Sequence, residues 1–300
     1  MPKPPRQKDL TLPDIRRDID RIDAAMHELL IERSQIIDRL IAVKKTEEVG
    51  SAFRPAREAD MMRRLVGRHH GNLPIDTVES IWRVIISTFT YVQSPFAVHA
   101  DLSAGDALMR DSARFHFGFT VPFEPHMGAS SVVEAVSASR GDLGLIPAFA
   151  TAGAGPWWTA LEFDAAPKII ARLPFVERAD HPAAMPVFVV SRVAADAMVT
   201  ETEVWSMRIS GWNAAAVNAV AALADVIAVP DRAFDGAALL VSVERGGIGA
   251  VSAALRKLGA SIHSAALVGS HATRYTVPAK GHSSPLQGKA KREERKKNSE

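Results

Sequence analysis

The chain of 300 residues contains no cysteine, which excludes a disulfide framework, a thiolate zinc centre and a cysteine nucleophile. It also lacks the run of about eighteen apolar residues that a membrane span requires. The first twenty residues are polar and basic, without the apolar segment of a secretory signal, so a cytoplasmic location is expected. No fixed repeat is visible, which sets solenoids aside. What is present is ordinary for a soluble globular chain, 47% hydrophobic and 23% charged. The length suits two domains with cores of their own.

An excess of one charge is missing too. The formal net charge is +2, yet Lys280 to Glu300 hold seven Lys/Arg against three Asp/Glu, leaving the rest of the chain slightly acidic. A body without a basic face is not expected to bind nucleic acid. Residues 279–300 read as a solvated, disordered basic tail, and the proline-rich MPKPPRQK at the start as a frayed end.

The strongest periodic signal lies over residues 12–46. Ile15, Ile19, Ile22, Met26, Leu29, Ile36, Leu40 and Val43 recur in steps of three and four, interrupted at position 33. That spacing predicts one helix of about nine turns. Leu12-Pro13-Asp14 suits its start and Gly50 follows its end. Pro55 opens a second, shorter helix with Met61, Met62, Leu65 and Val66 inward, and Gly71-Asn72-Leu73-Pro74 breaks it. A third helix is expected over 76–93, with Val78, Ile81, Trp82, Ile85, Phe89 and Val92 as its core stripe. A long helix without local partners implies intertwined pairing with a second copy, so a homodimer is expected. Beyond Pro95, short apolar runs at 96–99, 143–146, 187–190, 227–229 and 239–243 alternate with alanine-rich helical stretches, an α/β pattern.

The interruption at position 33 is the informative anomaly. Arg33 falls on the core-facing series, where an unpaired guanidinium would cost several kcal/mol. Lys44 returns to nearly the same face, about 16 Å further along the axis. Arg57 starts the second helix on the side of Met61, and Gln93 stands one turn past Phe89. Arg16 lies about 100° off the Arg33 face, placed to reach a partner subunit. Each cation alone could snorkel, or pair with Glu28, Glu32, Asp38, Glu47 or Glu58. Converging, they would grip a small dianion. With no nucleophile–base pair, metal cluster or phosphate loop alongside, that set suits a unimolecular rearrangement of a dicarboxylate, helped by holding a reactive conformer and by stabilising charge on an oxygen.

Residues 12–94 resemble the all-helical class of chorismate mutases in the segments IRRDIDRIDAAMHELLIERSQI, the lysine of AVKK, PAREADMMRRL and IWRVIISTFTYVQ. The resemblance implies conversion of chorismate to prephenate without a cofactor, in a homodimer. It implies that Arg16 of the other subunit binds one substrate carboxylate and Arg33 the second. Lys44 and Gln93 would donate to the ether oxygen, Arg57 would lie beside the carboxylates, and Glu58 would accept the ring hydroxyl. Two departures stand out: Arg54, where several relatives have an acid, and Phe89, where many have a serine. Neither supplies the main charges, so altered affinity rather than lost activity is expected.

Residues 95–278 resemble, more loosely, the prephenate dehydratase region of bifunctional mutase–dehydratase proteins, through SSVVEAVSASRGDLGLIPAF. From about 237, ALLVSVERGGIGAVSAALRKLGASIHSAAL resembles a small regulatory βαβ module. The family's polar loop after the strand is replaced by residues 148–155, and its Thr–Arg–Phe signature by residues 184–188. An acid for the leaving oxygen and a carboxylate anchor are not evident, so a regulatory or structural domain is expected rather than a dehydratase. The alternatives are a bifunctional mutase–dehydratase and a non-catalytic dimeric regulator of a shikimate-pathway enzyme. Gly246-Gly247-Ile248-Gly249 reads as a strand-to-helix turn and Trp157-Trp158 as a packed pair. His69, His70 and His181 lack partners at ligand spacing, so no metal is expected.

Overall fold

The chain begins with a capped helix. Thr11 and Asp14 exchange hydrogen bonds, Thr11 N donating to Asp14 Oδ2 at 3.0 Å and Asp14 N to Thr11 Oγ1 at 3.4 Å, a reciprocal N-terminal cap. From there α1 runs Leu12–Lys44, followed by α2 (Pro55–Arg68) and α3 (Ile75–Gln93). The computed structural model describes residues 11–44, 52–151, 153–183, 185–192, 201–231 and 235–277. The expected frayed start, Gly50 and the basic tail lie outside the described residues. Among the described residues, no helix is long and apolar enough to cross a membrane.

Along α1 the apolar stripe has no cover. Leu12, Ile15, Ile19, Ile22, Met26, Leu29, Ile36 and Val43 are each between 44% and 76% exposed, and Ile37 alone joins the buried core. Helix α2 buries Met62 and Leu65 as its spacing implies.

Helix α3 departs from expectation. Its buried face is Val78, Glu79, Arg83, Ile86, Ser87 and Thr90, while Ile81 and Val92 of the expected core stripe are exposed. The reason is electrostatic. Glu79 accepts from Arg178 Nη1 at 3.0 Å and lies 3.3 Å from His181 Nε2. Because His181 Nδ1 accepts from Ala183 N, Nε2 is the nitrogen free to donate to Glu79. Arg83 pairs with Glu58. A charged face that finds its complements inside the protein can be buried.

Glu58 comes from α2, and the partners of Glu79 come from an α/β region: β1 (Val98–Asp101), α4 (Asp106–Phe117), β2 (Phe123–His126), α5 (Ala129–Ala138), β3 (Leu143–Pro147), β4 (Lys168–Leu173), β5 (Val176–Glu177) and β6 (Val187–Ser191). It continues through β7 (Thr202–Ser210), α6 (Ala214–Ala221), β8 (Asp225–Asp231), β9 (Gly236–Glu244), α7 (Ile248–Lys257), β10 (Ser261–His271) and β11 (Tyr275–Thr276). One nine-stranded sheet has the order β2-β1-β3-β6-β4-β10-β7-β9-β8. β1 runs parallel to β2 and β3, and β6 lies antiparallel between β3 and β4.

The expected βαβ unit is present as β9–α7–β10, and it is the second half of a larger βαββαβ module that starts at Thr202, with strand order β10-β7-β9-β8. The module joins the rest of the sheet where Gly269 of β10 meets Ile169 of β4; a Cβ on Gly269 would stand 2.1 Å from the Ile169 carbonyl oxygen, so only glycine permits the junction. Trp157 and Trp158 pack edge to face at 5.8 Å in the core beneath.

The largest core does not stop at residue 94. Phe53, Met62, Leu65 and Ile86 from the helical segment share one cluster with Phe96, Met109, Phe117, Leu145 and Leu173.

Two buried histidines make this fold sensitive to acid. His271 is held down to about 4, chiefly by burial and further by the Arg172 and Arg274 charges, against the Ala272 carbonyl bond and Asp225. His116 is lowered in the same direction by burial, Arg83 and His181. Both stay neutral in the fold while the unfolded chain protonates, so their penalty is absent above the ordinary value of 6.5 and grows as pH falls toward 4. For His271 alone this amounts to about 3 kcal/mol by pH 4. Urea denaturation from pH 7 to 4 is expected to show His271→Gln losing less stability with acid than the wild type; parallel curves would refute this account.

Candidate active site

A cavity of about 420 Å³ lies among α1, α2 and α3, and Arg33, Arg54, Arg57, Glu58, Phe89 and Gln93 all line it. Arg33 enters from α1 at the break in the apolar stripe. It is half-buried, its guanidinium carbon sits 4.4 Å from the Phe89 ring centroid, and its Nη1 is buried without a hydrogen-bond partner. Burial first, and then the Arg57 charge, hold its pKa below the ordinary arginine value. A desolvated cation facing another cation is a receptor for an anion.

Arg57 lies in the first turn of α2, exposed. Arg54 precedes that helix on the same wall and is engaged within the protein. Glu58 is paired with Arg83 of α3. It is 5% exposed, and its Oε2 accepts from Arg83 Nη1 at 2.6 Å. The cavity is therefore electropositive. Gln93 closes it from the end of α3, Nε2 donating to the Phe89 carbonyl at 2.9 Å; an amide NH₂ carries two donors, so one is left for a ligand.

The structure thus brings together Arg33, Arg57, Glu58 and Gln93. Lys44 is the final residue of α1, eleven positions past Arg33, and its side chain lies outside the described residues. Arg16 stands apart: exposed, and seventeen positions before Arg33 on the same helix, about 25 Å away along the axis. No arginine side chain spans that distance. Sequence reasoning missed Arg83. The available signal was a basic residue within an apolar helix, matched by a glutamate on the neighbouring helix, but which carboxylate it meets is a tertiary fact.

Phe89 takes a definite role here. Its ring lies under the Arg33 guanidinium, the contact that an aromatic face makes with a cation.

Residues 15–94 match the family model of chorismate mutase type II. The residues that line the cavity lie within that match. A bifunctional chorismate mutase/prephenate dehydratase of Neisseria gonorrhoeae is 33% identical over 103 residues, which cover 34% of this chain and 27% of that protein. One from Pseudomonas aeruginosa is 28% identical over 138 residues, covering 44% of this chain and 37% of its own length. The chain therefore spans between about a quarter and two fifths of the length of these curated relatives. Among solved structures, a prephenate dehydratase from Arthrobacter aurescens in complex with L-Phe is 10% identical, with 65% of this chain and 97% of that chain covered and a TM-score of 0.40. A TM-score so low settles nothing about the α/β region.

Replacing Phe89 by leucine keeps the apolar bulk and removes the ring face. Titration calorimetry with a small dicarboxylate is expected to show affinity reduced about two- to fivefold, the equivalent of about 0.5–1 kcal/mol. An unchanged affinity would mean that the ring does not support Arg33.

Proposed function

We propose that this protein is a homodimeric chorismate mutase, converting chorismate to prephenate without a cofactor. The observation that carries the reading is the Arg33 guanidinium, with its buried Nη1 lacking a partner among the described residues, in an electropositive cavity inside the segment that matches the mutase family. The rearrangement breaks the ether C–O bond and forms a C–C bond within one molecule, so it needs no external nucleophile, oxidant or proton donor. It needs a bound conformer with the reacting carbons in contact, and a stabiliser for the negative charge that grows on the ether oxygen.

In this reading Arg33 binds one carboxylate and Arg57 adds to the positive field beside it. Gln93 offers its remaining amide proton, and Lys44 its ammonium, to the ether oxygen. Glu58 accepts the ring hydroxyl through the oxygen that Arg83 leaves open. The second carboxylate goes to Arg16 of another copy. The uncovered stripe of α1 supports that assignment: eight large apolar side chains in a row along some 50 Å of helix form a patch beyond what a lone chain leaves in water. A two-fold partner would bury the stripe against its own equivalent and carry Arg16 to the other end of each cavity. A cytoplasmic location goes with this activity.

A dehydratase activity is the second reading. It is favoured by the 138-residue alignment with the Pseudomonas aeruginosa protein, which is longer than the whole mutase match and so extends into the α/β region.

Loss of chorismate's diene absorbance tests the main reading, and assay of the product for phenylpyruvate tests the second. Arg33→Ala and Lys44→Ala are expected to abolish turnover while leaving the helical circular dichroism in place. Arg16→Ala is expected to be inactive too. Mixing unfolded Arg16→Ala and Arg33→Ala chains and refolding them together should restore activity at roughly a quarter of the sites, because half of the dimers are mixed and one site in each is intact. Two dead variants that stay dead on mixing would place Arg16 outside the site.

A further inference from the structure

The Glu58 carboxylate faces the mutase cavity, yet the residue that holds it has its own anchorage in the α/β region. Arg83 on α3 is 1% exposed. Its Nη1 donates to Glu58 Oε2 at 2.6 Å, and its Nη2 donates to the His116 carbonyl at the end of α4 at 3.1 Å. Its guanidinium carbon lies 5.3 Å from the ring centroid of Phe175, between β4 and β5. Among the described residues, Glu58 is the one carboxylate bonded to it. Arg83 does not line the cavity. It therefore acts on the cavity only through Glu58.

We propose that Arg83 is a positioning residue of the mutase site, aiming the Glu58 carboxylate at the bound ligand, with its own guanidinium fixed by α4 and Phe175. The inference rests on the mutase reading above. It makes the α/β region a structural support of the mutase site rather than a separate passenger. The physical grounds are geometric. A carboxylate has two oxygens, and a fork that fixes one of them sets the direction of the other. Misplacing a contact to the reacting molecule by about an ångström is enough to cost on the order of 100-fold in rate. A guanidinium bonded on both sides and lying against an aromatic ring has no freedom to let that carboxylate turn.

The test is a double-mutant cycle in the full-length chain, read as kcat/KM for chorismate, with Arg83→Met, Arg83→Lys, Glu58→Gln and the double variant Arg83→Met/Glu58→Gln. Arg83→Met should lose on the order of 10- to 100-fold, and Arg83→Lys should recover part of that loss by restoring one charged donor. In the Glu58→Gln background the Arg83→Met change should cost less than about twofold, since two residues acting as a unit are not additive. The double variant also guards against misfolding, because it removes both buried charges and leaves neither unpaired. Losses that multiply independently, or a lysine that rescues nothing while circular dichroism and melting are those of the wild type, would overturn the inference and leave the mutase reading standing. A wild-type chain that does not consume chorismate would remove the reading, and the inference with it.

Discussion

The arrangement of the molecule depends on how α3 disposes of its charges. Glu79 and Arg83 are both 1% exposed, and burying either unpaired would cost several kcal/mol. Each finds its partner on a different element, Glu79 on Arg178 and His181, Arg83 on Glu58 and the His116 carbonyl. Those bonds clamp the charged face of α3 against the α/β region. The cavity opens beside that face, where Ile86 and Thr90 from the buried side of α3 line it with Phe89 and Gln93.

From that clamp follows the character of the cavity. With Glu58 committed to Arg83, no other acid among the described residues lines the wall beside Arg33 and Arg57. Arg33 keeps a buried donor without a protein partner and rests on an aromatic face rather than on a carboxylate. A protein tolerates such a group where a ligand supplies the missing charge. The α/β region packs on α3, and among the described residues eight apolar side chains of α1 stay uncovered.

The α/β region is joined to the helices as one body. A single core cluster contains residues from α2, α3, α4 and the central strands, and Arg63 of α2 adds a bond to Glu201 at 2.8 Å and to the Thr273 carbonyl at 2.7 Å. The βαββαβ module is attached through the sheet itself, at a point where β10 and β4 come closer than any side chain would allow.

Much of this was legible in the residues. The helices α1, α2 and α3 were read from apolar spacing, the Leu12-Pro13-Asp14 start, Pro55 and the Gly71–Pro74 break, because helix periodicity and termini are local properties of the chain. Arg33 was visible as a charge on an apolar face, and Arg57, Glu58 and Gln93 line the same cavity. Strands β1, β3, β6, β8 and β9 were legible as apolar runs. β7, which opens the module, was not, since Thr202–Ser210 alternates weakly and its partners lie far along the chain. What only the tertiary structure decided is which face of α3 turns inward. Its apolar stripe pointed one way, and periodicity alone puts apolar residues in the core. Four buried partners, Arg178, His181, Glu58 and the His116 carbonyl, none close to α3's own buried acid and base in sequence, outweighed it. The identity of a charge is written in the sequence, but whether it meets its opposite is settled only when distant elements pack, and that meeting decides between a buried salt bridge and an empty place for a ligand.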